Sequence, residues 1–279
     1  MTEKILGFGL GLRAPHYELI LREKPPIDWF EIISDNYLNA HRGYWDYLAN
    51  LRTDYPLVMH GVSLSIGSTD PVNVEYVRRL KALATHIDAA WVSDHLCFTG
   101  INREYTHDLL PIPYTQEALE HIVPRVQQVQ EILGRNFVFE NASTYLEFDG
   151  ATMGEAEFLC ALHQRTGAKI LLDVNNVYVN SFNHGWSAQE YIDVIPADAI
   201  QQYHLSGHTD RGSYLFDTHK GTVDDAVWEL YRYTVEKKGF KSTMVEWDDA
   251  IPEFAVLQNE IDKARAYVPN ASYRFKEVQ

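Results

Sequence analysis

His60, His95, Glu140, Asp173, Asn176, His204, Asp217, His219 and Glu246 stand at or just beyond the carboxyl ends of successive apolar runs, VMH, WVSDH, FVFEN, ILLDVNN, YHLSGH and MVEWD. All nine are residue types that bind metal ions. Imidazole and carboxylate without thiolate suit zinc, manganese or iron, and argue against copper(I) or an iron-sulfur cluster. Four of the nine are carboxylates. Brought together they repel strongly unless cations neutralise them, so more than one metal ion is expected, with a shared Glu able to bridge two. A purely structural zinc site closes with four ligands, commonly Cys, and nine are too many for that. The spacing singles out no separate catalytic acid, base or nucleophile.

The elements that position these residues are short β-rich runs: Ile5 to Leu12, Asp28 to Ile33, Pro56 to Val62, Ala90 to Phe98, Asn136 to Asn141, Lys169 to Asn175, Ile200 to Ser206, and Ser242 to Trp247. They are nearly continuous in apolar residues, as parallel strands covered on both faces must be. Between them, apolar residues recur at helical spacing, as in Leu119, Ile122, Val126, Val129 and Leu133. Asp70-Pro71, Thr115 and the stretch Thr222 to Asp225 read as helix starts. Eight strands alternating with helices give an α/β fold, a (β/α)8 barrel of the TIM type. No repeat, low-complexity tract or linker divides the chain, so residues 1–279 are expected to form one barrel domain with a short C-terminal tail from Tyr267. In such barrels the C-terminal rim of the strands is the floor of the active site. The nine candidates fall on that rim.

His107, His184 and His208 are expected in the loops EYTHDLLP, SFNHG and LSGHTDRG on the same rim, as candidates for substrate contact or for support of the metal ligands. His16, His41, His86, His121 and His163 read as structural. Glu140 and Glu246 have no Arg or Lys beside them in sequence that would make them ordinary ion pairs. Cys97 shares the parity of His95 but reads as an inert buried thiol. GFGLGL lacks the Lys-Ser/Thr ending of a phosphate loop, and backbone crowding on the first strand explains its glycines better.

With a formal charge of -15 and no basic run, the chain is expected to bind no nucleic acid. No segment is long and apolar enough to span a bilayer, and the N-terminal stretch does not read as a secretory signal. Two cysteines, Cys97 and Cys160, in no CxxC spacing, suggest reduced thiols and a cytoplasmic protein.

The order His, His, Glu, Asp, His, Asp-x-His, Glu is similar to the trinuclear zinc site of the endonuclease IV and xylose isomerase-like superfamily. That likeness implies one ion on His60, His95 and Glu140, and a second on Glu140, Asp173, His204 and Glu246. A third would lie on Asp217, His219 and residue 176, which is His in the endonuclease and Asn here. The closer resemblance is to the multinuclear non-haem iron-dependent oxidative enzymes that include the methanobactin-forming and 3-thiaglutamate-forming enzymes, long a family of unknown function. It is carried by GLGLR (9–13), WFEIISDNY (29–37), MHGVSLSIG (59–67), SDHLCFTG (93–100), HDLLPIPYT (107–115), FENASTYL (139–146), LLDVNNVYVNSFNHG (171–185), HLSGH (204–208), FDTH (216–219) and VEWD (245–248). Asn176 is what that family carries. The resemblance implies two or three iron ions, part ferrous and part ferric, and dioxygen as co-substrate. It also implies a Cys-containing, ribosomally synthesised precursor peptide as substrate and a separate small partner protein that presents it, in natural product biosynthesis. The rival readings are a divalent-metal sugar isomerase or phosphodiesterase of the same superfamily, and a non-catalytic metal-binding barrel.

Overall fold

The computed structural model describes residues 4–102 and 104–268. The expected C-terminal tail therefore lies, from residue 269 on, outside the described residues. Eight parallel strands close on themselves in sequence order: β1 (Phe8–Gly11), β2 (Trp29–Ile33), β3 (Leu57–Gly61), β4 (Val92–His95), β5 (Val138–Glu140), β6 (Lys169–Asp173), β7 (Ile200–Ser206) and β8 (Ser242–Glu246). Helices cross between them on the outside, among them Val74–His86, Gln116–Leu133 and Asp225–Lys238.

Successive side chains on a strand face opposite ways, and here the two parities divide the labour. Phe30, Met59, Val92, Phe139, Leu172, Tyr203 and Val245 face outward into the large core shared with the helices. Leu6, Trp29, Val58, Trp91, Val138, Leu171 and Met244 face inward and pack together as an apolar floor. Two residues on from floor positions come Glu31, His60, Ser93, Glu140, Asp173 and Glu246, all buried. The polar layer thus sits directly above an apolar plug. Strand β1 brings only glycines to this interior. A Cβ on Gly9 would come within 2.4 Å of the Trp29 ring, and one on Gly11 within 2.7 Å of the Arg13 guanidinium. GLGLR is therefore the gap through which Trp29 fills the floor and Arg13 reaches the mouth.

The structure moves some of the expected boundaries. Thr115 caps its helix as expected, and Asp224, inside the expected start Thr222 to Asp225, caps Asp225–Lys238, but Asn73 rather than Asp70-Pro71 caps Val74–His86. Asx side chains accept from the first-turn amides, which fixes the start locally. The run Ala90 to Phe98 breaks at His95, and Phe98–Ile101 instead pairs antiparallel with Glu104–Leu110 in a rim hairpin.

Away from the mouth, Glu155 is buried and accepts from Tyr114 Oη at 2.7 Å and Tyr191 Oη at 3.1 Å. Burial raises its carboxyl to about 7 in spite of both hydroxyls. A carboxyl raised in the folded state favours folding below its unfolded value near 4.5 and forfeits that contribution as pH rises to 7. Glu155→Gln is expected to flatten stability between pH 4.5 and 7, and to gain roughly 3 kcal/mol relative to the parent at pH 8. Urea titrations at both pH values check this. A variant that loses stability at pH 8 would contradict it.

Candidate metal centre

Glu140, at the end of β5, is the hub. Its Oε2 lies 3.0 Å from His60 Nε2 and 3.3 Å from His95 Nε2. The opposite ring nitrogens decide what those atoms carry. Ser93 Oγ donates to Met59 O at 3.2 Å, so it accepts from His60 Nδ1 at 2.8 Å. His95 Nδ1 faces the Gly61 carbonyl at 3.2 Å and can only donate to it. In the neutral rings both Nε2 atoms are then bare lone pairs aimed at a carboxylate oxygen that is itself only an acceptor. Such a triad repels unless a cation or a proton lies among them. Neither Glu140 oxygen makes a hydrogen bond of acceptable geometry, although it is wholly buried.

On the other side Glu140 Oε1 is 3.5 Å from His204 Nδ1, which is 3.1 Å from Glu246 Oε2. With Asp173 these residues offer ligand atoms all within 4.8 Å of one another. Asp173 closes β6 and caps helix Val174–His184, its Oδ1 accepting from Asn176 N at 2.7 Å. Its Oδ2, the Asn176 Oδ1 and His204 Nδ1 are buried without a hydrogen-bond partner. Unsatisfied buried polar atoms are rare and costly. Asp173 and His204 belong to one group of converging ligand atoms, and that fits a metal ion.

The back of His204 is held by residues that the sequence reading passed over. Its Nε2 lies 3.1 Å from Glu31 Oε1. Gln202 Nε2 donates to Glu31 Oε2 at 2.7 Å, and Trp91 Nε1 donates to Gln202 Oε1 at the same distance. The imidazole thus rests on a carboxylate anchored to the floor. Partners of this kind set ligand orientation, and their loss costs about 10- to 100-fold in metal affinity. Glu31→Ala is expected to weaken the most labile ion by that factor in a chelator competition; undiminished affinity would remove the orienting role.

A third grouping differs from the expected one. His219, Glu246 and Asp248 have ligand atoms within 4.8 Å of one another, with His219 Nδ1 at 3.4 Å from Glu246 Oε2 and 3.2 Å from Asp248 Oδ2. Asp217 Oδ1 lies 3.0 Å from the other ring nitrogen. His219 reaches this place from a left-handed backbone, φ 46°. Arg13 enters the same space, pairing with Asp248 and lying 3.4 Å from Glu246 Oε1. Glu246 is therefore partly ion-paired at the seam where the first and last strands meet, which sequence adjacency could not show.

Of the three supporting histidines, His208 is the one tied to the centre. Its Nδ1 lies 2.8 Å from Asn175 Oδ1, and Asn175 Nδ2 donates to Asp217 at 2.9 Å. His184 and His107 are not in loops. His184 ends helix Val174–His184 and bonds Thr144 Oγ1 at 2.7 Å, outside the polar layer. His107 sits on the rim hairpin beside a different cleft, φ 56°. The five structural histidines stay away from the cluster: His41 caps a helix, His121 and His163 bond backbone carbonyls, and His16 and His86 pack on Phe254 and Trp45. Cys97 is buried, and burial pushes its thiol well up.

The electrostatics without metal follow from the same contacts. Burial works against charge on Glu140, yet His95, His60 and His204 hold its carboxyl well below the usual range. Against burial, Glu140 lifts His60 to about 9, while Glu31 and Glu140 raise His204, and Asp217 and Glu246 raise His219. Burial keeps His95 low. Asp173 is pushed well up by burial and by the charges of Glu140 and Asp217. Protons on His60, His204, His219 and Asp173 do in the metal-free protein what cations do when bound.

Comparison with known proteins agrees with this centre's setting. Residues 7–269 match the family model described as RiPP precursor modification enzyme MbnB/TglH/ChrH. A UPF0276 protein of Anaeromyxobacter sp. (strain Fw109-5) is 48% identical over 94% of this chain and 93% of its own length. One of Acaryochloris marina is 44% identical over 95% of each. Among solved structures, L-ribulose 3-epimerase superposes with a TM-score of 0.61 at 13% identity, covering 96% of this chain and 99% of that one. Endonuclease IV of Thermus thermophilus gives 0.59 at 15% identity, covering 96% and 100%. Those two likenesses establish the fold, a TIM barrel of the xylose isomerase-like kind. The sequence match goes further, and the chain belongs to the MbnB/TglH/ChrH family of RiPP precursor modification enzymes.

Proposed function

We propose that this protein is a multinuclear non-haem iron oxidase that uses dioxygen to modify a cysteine residue of a ribosomally synthesised precursor peptide. The observation that carries the reading is Glu140, one buried carboxylate without a hydrogen-bond partner that is shared by two groups of ligand atoms. His60, His95 and Glu140 would hold one ion, and Glu140, Asp173, His204 and Glu246 a second. His219, with Asp217 and Asp248, would border a third, to which the family resemblance adds Asn176. When bound, the ions supply Lewis acidity toward a thiol and redox capacity toward dioxygen.

The chain's own part is positioning and charge control. Strand ends hold the ligands rigidly over an apolar floor that excludes water from below. Glu31 and Gln202 orient His204, while Asn175 and His208 hold Asp217. Arg13 offsets the excess of carboxylate around Glu246 and Asp248. Among the described residues no helix is long and apolar enough to cross a membrane, and the two cysteines are unpaired. We read the chain as one barrel unit acting in the cytoplasm on a peptide that a separate small protein presents.

The test is anaerobic loading with ferrous iron, then exposure to dioxygen with the Cys-containing peptide encoded beside the gene and with its Cys→Ser analogue. Oxygen uptake and a mass change confined to the cysteine peptide are expected. A colourless protein that holds zinc tightly, consumes no oxygen and epimerises a sugar would replace this reading with the isomerase one.

A further inference from the structure

A second concavity lies on the outer side of the rim. A cleft of about 430 Å3 opens between the end of the hairpin, the loop after β5 and the helices Glu155–Thr166 and Ala188–Val194. Its walls are apolar and aromatic, with Trp186 stacked on Tyr191 at 5.3 Å. Leu146, Phe148 and Val194, at 67%, 42% and 46% exposure, border it openly. An apolar surface left facing water in this way marks a contact site.

The cleft is lined by Glu147, Glu155, Glu157 and Glu190, with His184 Nδ1 3.7 Å from Glu147 Oε2, and by no Lys or Arg among the described residues. Glu155 is at the bottom, with the Tyr114 and Tyr191 hydroxyls donating to it. Aromatic faces and carboxylates around a narrow apolar space suit a Lys or Arg side chain, whose alkyl stem packs while its cation meets charge and ring. One wall of the cleft also runs back along the chain to the metal centre. Asn141, which accepts from Asp173 N at 2.9 Å, begins the loop that forms one wall. Four residues on, Tyr145 Oη accepts from Asp217 N at 3.0 Å, and Tyr145 stacks on Phe216 at 5.3 Å. Leu146 follows immediately in the cleft.

We propose that this cleft seats a segment of the precursor peptide that carries an apolar residue next to Lys or Arg, while the residue to be modified lies past Tyr145 over the metal centre. The proposal rests on the peptide-modifying reading for its occupant. Holding one segment of the peptide there raises the effective concentration of the rest at the centre.

The test uses two fluorescein-labelled, cysteine-free dodecapeptides, one with a central Leu-Lys-Leu-Lys and one with Leu-Glu-Leu-Glu in a Gly/Ser background. Anisotropy is followed on the metal-loaded protein and on Glu147→Lys/Glu190→Lys, whose exposed positions lie outside the metal ligands. The lysine peptide is expected to bind at least tenfold more tightly than its glutamate counterpart. The double variant should lose at least tenfold for the lysine peptide, with metal content and thermal transition unchanged, and Glu147→Gln/Glu190→Gln should lose an intermediate amount. Equal binding of the two peptides, no binding of either, or undiminished binding to the double variant overturns the proposal. Charge-dependent binding without cysteine oxidation would leave the cleft standing and remove the oxidase reading. Cysteine oxidation without charge-dependent binding would do the reverse.

Discussion

Glu140→Gln is expected to abolish turnover, lowering it by on the order of 10^3 or more, and to remove at least one metal ion per chain while the barrel stays folded. Its carboxylate lies within reach of both His60 and His95 on one side and His204 on the other. An amide of the same shape keeps the packing but gives up the charge and one of the two acceptor atoms. Metal ions contribute several kcal/mol of charge stabilisation to the reactions they assist, and each 1.4 kcal/mol is about tenfold in rate. Folding should survive because the Glu140 oxygens make no hydrogen bond that the fold depends on, and the outward neighbour Phe139 still packs in the helix layer. Glu246→Gln should show a smaller loss, since it breaks the second and third groups but leaves His60, His95 and Glu140 intact. Iron content by elemental analysis and circular dichroism separate these outcomes. Unchanged stoichiometry in Glu140→Gln would mean that no ion is shared there.

The strand-end ligands were legible in the sequence because a barrel strand is short and its parity is fixed: a polar residue ending an apolar run has nowhere to point except the mouth. Glu31 and Gln202 follow the same parity two residues on from Trp29 and two before His204, but they lie inside their runs, where a polar residue reads as an irregularity rather than a signal. Period-two counting forward from Trp29 and back from His204 would have found them. Arg13 and Asp248 lay within the GLGLR and VEWD segments, yet their meeting is a contact between the first and last strands of a closed barrel, and closure is invisible to local pattern. The third group gains Asp248 beside the expected pair Asp217 and His219 for a related reason. His219 can turn one nitrogen to Asp217 and the other to Asp248, and which side it serves depends on a left-handed backbone at a non-glycine residue. His107 and His184 were expected on this rim, but the hairpin sets His107 beside a cleft that none of the nine residues lines, and the helix end brings His184 to Thr144.

Stripping the metal should lower Tm, and the gap between loaded and stripped protein should widen as pH rises from 6.5 to 9. Without cations the cluster is neutralised by protons, and His60, raised by Glu140 to about 9, is protonated at pH 7. A histidine raised in the folded state contributes stability that is fully present below its unfolded value near 6.5 and is lost as pH climbs through 9. That loss is about 3 kcal/mol from His60 alone. Asp173, raised by burial and by Glu140 and Asp217, shifts stability in the same direction. Metal binding requires those protons to leave, so affinity should rise about tenfold per pH unit over this window for each proton displaced. At free metal a thousandfold above Kd, each ion adds about 4 kcal/mol, or about 8 °C in Tm for a chain of this size. Calorimetry of both forms at pH 6.5, 8 and 9, with titrations in two buffers to count released protons, measures each quantity. A gap that stays constant or narrows with pH, or binding that releases no protons, would show that the histidines and acids of the mouth are not where the ions go.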